Sequence, residues 1–184
     1  MSIAIALDRE VAARWHRREL GLWIFLGTVT MLFAAFTSAL IVRRSSADWH
    51  RVALPAMAWM NTAFLLASSA ALEAARRAAD PVRRARGVAA ASALGLIFVA
   101  GQVEVWRGLM RSGIYVPTTP AASFLYILTG LHALHLLAAL VALGYLFIRS
   151  RREADPEWPL LAGVVASLWH FLTVVWIYLL ALVL

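Results

Sequence analysis

Three histidines lie inside apolar segments and are the residues most able to perform chemistry. His132 and His135 occur in "GLHALHLLAALVALGYLF", and His170 occurs in "SLWHFLTVVW". Imidazole ligates haem and metals, carries protons near neutral pH, and also serves as a polar group in helix packing. The spacing favours packing, with haem ligation, metal ligation and a proton path as alternatives. A metal site is the poorer of these because no carboxylate lies near the histidines.

Two acidic residues are placed for ion pairs on a single helix. Glu73 precedes Arg76 and Arg77 by three and four residues, and Glu104 precedes Arg107 by three. Side chains at these spacings are neighbours on a helix surface. We therefore expect local ion pairs, with proton transfer at Glu104 as the alternative.

Composition identifies the solvent in which this chain folds. Of its 184 residues, 62% are hydrophobic, and the mean hydropathy is +0.77. Soluble domains are about half apolar, so the excess indicates a lipid environment. All 17 basic residues are arginine and lie in clusters between apolar segments, which favours lipid headgroups over nucleic acid. Cysteine is absent, which excludes thiolate chemistry and disulfides.

Charge-free segments predict an all-α integral membrane protein. Each apolar core is about 20 residues, enough to cross roughly 30 Å of hydrocarbon. We predict an interfacial helix in residues 1–18, followed by a bundle in residues 19–184. Its five transmembrane helices are expected near residues 19–42, 56–76, 87–109, 121–148 and 159–183. Loops this short leave no room for a soluble catalytic domain.

The distribution of arginine predicts the orientation of the bundle. The N-terminal segment and the second and fourth loops hold twelve arginines, against five in the first and third loops. Cytoplasmic loops are the arginine-rich ones, so the N-terminus should be cytoplasmic and the C-terminus periplasmic. Arg76, Arg77, Arg83 and Arg84 would then bind anionic lipid headgroups. Trp23, Trp59, Trp106 and Trp158 are predicted to anchor the helices at the membrane interfaces.

Polar and small residues inside the predicted spans indicate close helix packing. Asn61, Ser68 and Ser69 lie on the second span and most simply allow close approach and local hydrogen bonds. Broken helices and charged midplane sites, which transporters tend to show, are not evident in the sequence.

Five motifs in order, one for each predicted span, resemble subunit III of haem–copper terminal oxidases of the cytochrome c oxidase type. They are "GLWIFLGTVTMLF", "NTAFLLASS", "LGLIFVAGQ", "TGLHALH" and "WHFLTVVW". Each motif is weak alone, but the ordered set covers nearly the whole chain. The length resembles the short five-helix bacterial form of that family.

The resemblance implies an accessory role in the bacterial inner membrane. In that family, haem and copper belong to partner subunits I and II, which transfer electrons to O2 and translocate protons. Subunit III supplies packing against its partner subunit, bound phospholipid and support for assembly in the respiratory chain; a respiratory supercomplex would be a further partner. In this chain, the small residues expected to pack against the partner subunit are Ala34, Ala35, Gly101, Ala138 and Ala139. The implied roles are structural or at interfaces for His132, His135, His170, Glu104, Gln102, Asn61 and Trp176. No catalytic, cofactor or metal residue is implied in this chain.

The sequence departs from that family where acids are common. Val29 and Thr173 stand where many members have carboxylates, and Val105 stands where a glutamate is common, with Glu104 one place earlier. These changes argue against a direct proton relay. Two alternatives stay open: the subunit-III-like component of bacterial nitric oxide reductase, and a haem-binding cytochrome b-like membrane protein.

Overall fold

Five long helices form the protein. The computed structural model describes residues 2–49, 52, 55–152 and 155–183, and in these ranges the regular structure is entirely helical. The helices are α1 (Ser2–Arg44), α2 (Met57–Arg77), α3 (Pro81–Arg111), α4 (Pro120–Ser150) and α5 (Trp158–Val183). The prediction of an all-α fold with five helices in the bundle is confirmed.

Capping residues decide where two of the helices begin. Asp80 accepts hydrogen bonds from the backbone N–H groups of Val82 and Arg83, and Pro81 occupies the first turn of α3. Thr119 caps α4 in the same way, through a bond from the Ala122 N–H. Proline fits the first turn of a helix because its missing N–H would have no partner there. The third helix therefore begins six residues before the boundary predicted near residue 87.

The first helix differs most from its prediction. It runs without a break from Ser2 to Arg44, so the predicted interfacial segment and the first span are parts of one helix. Location of residues 2–18 at a membrane surface stays a prediction.

Four helical segments are long and apolar enough to cross a membrane: Glu19–Arg44, Pro81–Arg111, Pro120–Ser150 and Trp158–Val183. The predicted span at residues 56–76 is a helix but is not one of these four. It contains Asn61, Ser68, Ser69 and Glu73, which lower its mean hydropathy. Asn61 and Ser68 are buried against α3, so these two polar side chains of α2 face the inside of the bundle.

Helices α2 to α5 share one large core, and α1 is attached to its side. The core contains Leu65, Phe98, Leu143, Trp169 and Trp176. Among the described residues, helix α1 packs on α4 and α5, through a second cluster that includes Val29 and Phe33. We call the end with the α2–α3 and α4–α5 turns the Asp80 end, and the end with residues 45–49 and 112–119 the Gly113 end.

Candidate functional site

His132 is enclosed by aromatic rings. It is fully buried on α4, with the Phe98 ring 6.1 Å away edge-on and the Trp176 ring 5.2 Å away, centroid to centroid. Neither ring nitrogen has a hydrogen-bond partner among the described residues. The side chain therefore fills the junction of α3, α4 and α5 by shape, and it makes no hydrogen bond to any described residue of a neighbouring helix.

His135 faces a different helix. Its Nδ1 lies 2.7 Å from the carbonyl oxygen of Leu131, one turn earlier on α4. Its ring packs between Phe25 and Phe33 of α1, at centroid distances of 6.1 and 6.0 Å. This histidine is satisfied locally and contributes its ring to the contact between α1 and α4.

His170 joins α5 to α2 at a polar cluster. Its Nδ1 is hydrogen-bonded to Ser69 Oγ, and its Nε2 lies 3.5 Å from Glu73 Oε2. Glu73 also accepts from Arg76 Nη2 at 2.6 Å and from Arg77 Nε at 2.7 Å, so the predicted local ion pairs are formed. Ser69 and Glu73 are four residues apart and so share a face of α2. The i, i+4 spacing of Ser69 and Glu73 indicates this cluster, but the sequence analysis did not predict it.

The three histidines do not converge on one site. Residues three apart on a helix differ by about 60° in direction, so His132 and His135 turn toward different neighbours. Bis-histidine haem ligation requires two imidazoles that face each other across the macrocycle. Phe98 and Trp176 occupy the space beside the His132 ring, so these residues do not fit a haem. In the described parts of the chain, no group of three or more His, Asp or Glu side chains is placed to hold a metal ion.

Asn61 and Gly101 bring α2 and α3 into close contact. Asn61 is 1% exposed, and its Nδ2 donates to the Phe98 carbonyl at 3.5 Å. A Cβ on Gly101 would lie 2.0 Å from Asn61 Oδ1, so only glycine fits there. One side of this contact borders a surface groove that includes Glu104 and Arg107. Those two form the predicted ion pair at 2.5 Å, with both side chains substantially exposed.

Trp176 and Gln102 lie in the same buried region. The indole Nε1 of Trp176 donates to Thr62 Oγ1 at 3.0 Å, linking α5 to α2. Gln102 is 2% exposed, and its Oε1 has no partner among the described residues. Both residues line a small cavity between the helices.

The predicted headgroup arginines differ in what they contact. Arg76, Arg77 and Arg83 are exposed. Arg84 instead donates through Nε to the Ala78 carbonyl at 2.9 Å, and its guanidinium lies 5.1 Å from the centroid of the Trp158 ring. Trp158 is only 2% exposed, so its predicted role as an interfacial anchor is wrong. Its ring lies in the core shared by α2 to α5, with the Arg84 guanidinium over it.

The small residues are divided between the inside and the outside of the bundle. Gly101 and Ala139 are buried within the chain, which corrects their predicted contact with a partner. Ala34, Ala35 and Ala138 are exposed and so remain available for such a contact. The sequence does not distinguish the two sets, because a small residue carries no signal of how its helix is rotated about its axis.

The positions that lack acids are buried. Val29 is 2% exposed in the cluster between α1, α4 and α5, and Val105 is 3% exposed in a cluster with Leu109 and Leu125. Thr173 is 4% exposed, and its hydroxyl donates to the Trp169 carbonyl at 3.0 Å. A carboxylate at these places would need a partner to offset its desolvation. Apolar or self-satisfied side chains are consistent with their surroundings.

These features define a polytopic α-helical membrane protein whose buried polar groups mostly bond between or along its own helices. The chain belongs to a known family: residues 16–184 match the profile described as "Cytochrome c oxidase subunit III". The resemblance drawn from the five motifs is thereby confirmed.

Individual relatives agree with the family assignment. The "Probable cytochrome c oxidase subunit 3" of Nocardia farcinica is 31% identical over 172 residues, which is 89% of this chain and 85% of that protein. The "Cytochrome c oxidase subunit 3" of Corynebacterium diphtheriae is 30% identical over 188 residues, 94% of this chain and 91% of that protein. A match to the "Probable cytochrome c oxidase subunit 3" of Mycobacterium bovis, 36% identical, covers 46% of this chain and 42% of that relative.

Proposed function

We propose that this chain is the accessory third subunit of a respiratory haem–copper terminal oxidase in the bacterial plasma membrane. The observation that carries the proposal is the family match over residues 16–184. Electron transfer to O2 and proton translocation are assigned to partner subunits I and II, which hold haem and copper. This chain has no redox centre in the proposal and acts by packing against its partners and binding lipid.

The burial of the polar residues supports an indirect role. His132, Asn61 and Gln102 lie inside the bundle, each at most 2% exposed, and therefore are not presented to a partner. Large apolar side chains cover the outside instead, including Trp23, Met31 and Val141, which are each more than 60% exposed. Such faces suit lipid or the apolar helices of another membrane subunit.

Lipid contact is proposed at the Asp80 end. Arg76, Arg77 and Arg83 are exposed there and would meet anionic headgroups. Beside them, a groove of about 490 Å³ runs between α1, α2 and α5, with Trp23 and Arg76 among its lining residues. The Trp23 indole provides an apolar contact for an acyl chain and the Arg76 guanidinium a partner for a phosphate, in a groove that Glu19 and Glu73 also line, with Arg76 paired to Glu73.

Deletion of this chain tests the accessory role. The remaining oxidase should keep its haem content and its initial O2 consumption, but should lose activity faster during turnover or assemble in lower yield. Loss of all haem from the partner subunits would contradict the proposal.

The cytochrome b-like alternative is tested on the chain purified alone. A stoichiometric Soret band that disappears in His132→Ala or His170→Ala would overturn the accessory proposal. The nitric oxide reductase alternative is separated by co-purification. A copper-bearing subunit II retained by a tag on this chain favours the oxidase, whereas a nitric oxide reductase retained in its place favours the other complex.

A further inference from the structure

A surface groove runs between α2 and α3 at the Gly113 end of the bundle. Its volume is about 460 Å³, and its apolar walls are formed by Met57, Phe64, Ile97, Ala100 and Val103. Asn61 and Gly101 also line it but are buried, so their close contact forms its base. On α3 the lining residues extend from Ile97 to Arg107, a rise of roughly 15 Å along the helix. The groove is therefore elongated along the helices and mostly apolar.

The charged residues of the groove lie together at one end of it. They are Glu104 and Arg107, whose side chains are 41% and 57% exposed. Helix α3 has 31 residues and is about 46 Å long, so about 8 Å at each end extends beyond a hydrocarbon layer of roughly 30 Å. Arg107 is about 6 Å along the axis from the end of the helix at Arg111, which places it at the level of the lipid headgroups. The groove thus has the polarity of an amphiphile, charged at the headgroup level and apolar toward the membrane centre.

The ion pair at the end of the groove is made through a single contact. Arg107 Nη1 donates to Glu104 Oε1 at 2.5 Å. Glu104 Oε2 and the Nε and Nη2 groups of Arg107 have no hydrogen-bond partner in the described part of the chain. Exposed pairs of this kind contribute little to stability, so other charged groups can share them. The pair can therefore receive a cation on the carboxylate and an anion on the guanidinium at the same time.

We propose that this groove binds one phospholipid with an ethanolamine headgroup. The ammonium donates hydrogen bonds to Glu104 Oε2, the phosphate accepts from Arg107 Nε or Nη2, and an acyl chain lies along the walls toward Phe64 and Ile97. Charge complementarity selects this headgroup. A glycerol headgroup supplies the phosphate but no cation for the carboxylate, and a choline headgroup has no N–H group to donate.

A helix of another subunit is the competing occupant of this groove. It would have to bring an acidic and a basic side chain to the same depth in order to pair with both Arg107 and Glu104. The phospholipid carries both charges in one headgroup, which lies at this depth in any bilayer. The lipid therefore matches the groove without further requirements.

Photolabelling of the purified complex tests the site. The complex is reconstituted in phosphatidylcholine nanodiscs that contain a small fraction of a lipid with a diazirine on its acyl chain and an ethanolamine, choline or glycerol headgroup. Peptide mass spectrometry then identifies the labelled residues. The ethanolamine lipid should label Phe64 and Ile97 several-fold more than the other two lipids do. Met31 and Val141 are the references, because each is 75% exposed and lies outside the groove, and they should show no such preference.

Removal of the carboxylate tests the headgroup contact. Glu104→Gln should reduce the labelling of Ile97 by the ethanolamine lipid to the level given by the choline lipid. Asp48→Asn is the matched control, because Asp48 forms an exposed pair with Arg43 at the same end of the bundle but is not among the residues that line the groove. The control variant should keep the preference of the wild type.

Obstruction of the groove tests the acyl-chain contact with the charges left in place. Ala100→Trp should remove the labelling of Phe64 by all three lipids. Ala93→Trp is its control, because Ala93 is exposed on the same helix and does not line the groove.

Three outcomes would overturn the proposal. Equal labelling of Ile97 by the three lipids would make the groove an ordinary part of the lipid-facing surface. A groove without label, in a complex where Met31 or Val141 is labelled, would show that a partner helix covers it. A preference for ethanolamine that survives in Glu104→Gln would exclude the headgroup contact. The readout does not depend on oxidase activity, so none of these results bears on the accessory role itself.

Discussion

His132 is held by its shape, and this distinguishes it from a histidine that acts through its nitrogens. It is fully buried between Phe98 and Trp176, and no described residue accepts or donates a hydrogen bond at its ring. Replacement by an apolar side chain of similar volume should therefore cost little, because no partner is left unpaired.

Two substitutions at this position separate packing from chemistry. His132→Leu should change the free energy of unfolding by less than about 1.5 kcal/mol, as volume-conserving changes do. His132→Ala should cost about 2–5 kcal/mol through the space it leaves. Thermal unfolding of the purified complex measures both. Equal and large losses in the two variants would show that the imidazole nitrogens are needed after all.

Gly101 makes a second prediction at the scale of a single residue. Gly101→Ala would place a Cβ 2.0 Å from Asn61 Oδ1, which forces the side chain or the helices to move. We expect a loss of about 1–3 kcal/mol, the usual cost of overpacking. Gly108→Ala on the same helix is the control, because its Cβ would meet nothing within 4 Å. Similar melting temperatures for the two variants would contradict the close contact of α2 with α3.

The sequence predicts that the helices form, but it does not predict which face of each helix turns toward the core. Long apolar runs bounded by arginine and proline predicted all five helices of the bundle. The histidine partners depended on how each helix is rotated about its axis, and residues with uniform apolar surroundings carry no signal of that rotation. The Trp158 burial and the inward position of Gly101 were missed for the same reason. The Asp80 cap was readable as Asp-Pro before a helix, yet the charge-free criterion placed the start of α3 later.

The turn between α4 and α5 is held by an ion pair that should respond to acid. Asp155 accepts from Arg149 Nε at 2.6 Å and from Arg149 Nη2 at 2.7 Å, and its side chain is only 3% exposed. These hydrogen bonds hold the pKa of the Asp155 carboxyl below its ordinary value of 3.8. Stabilisation by this pair is therefore present at pH values above the ordinary pKa of 3.8 and is lost as the pH falls through the lower folded-state pKa.

A pH series of melting temperatures checks this element. Asp155→Asn should lower the melting temperature near neutral pH and weaken its decline in acid, because the titrating group is removed. Asp48→Asn is the control: Asp48 pairs with Arg43 at 2.7 Å, but their side chains are 57% and 43% exposed. Exposed pairs of this kind contribute about 0–1 kcal/mol, so that variant should follow the wild type. Identical acid profiles for all three proteins would exclude a stabilising role for Asp155.

At the scale of the whole molecule, α2 determines whether the chain crosses the membrane four or five times. Its 21 residues give a length of about 32 Å, enough for the hydrocarbon core. Ser68 Oγ donates to the Ala91 carbonyl of α3 at 2.7 Å, and Asn61 donates to the Phe98 carbonyl. Polar groups that are satisfied by a neighbouring helix do not oppose insertion. We therefore predict five spans, with the Asp80 end in the cytoplasm.

The absence of cysteine makes this topology directly measurable, since any thiol introduced is the single one in the chain. Ala47→Cys and Ser112→Cys lie at the Gly113 end, and Ala79→Cys and Arg151→Cys lie at the Asp80 end; all four positions are exposed. In intact spheroplasts, a membrane-impermeant maleimide should label the first pair and should reach the second pair only after lysis. If α2 did not cross, Ala47→Cys and Ala79→Cys would be labelled together. If the orientation were reversed, the second pair would be labelled in intact spheroplasts and the first pair only after lysis. That result would place the arginine-rich loops in the periplasm and contradict the positive-inside rule, which predicts them in the cytoplasm.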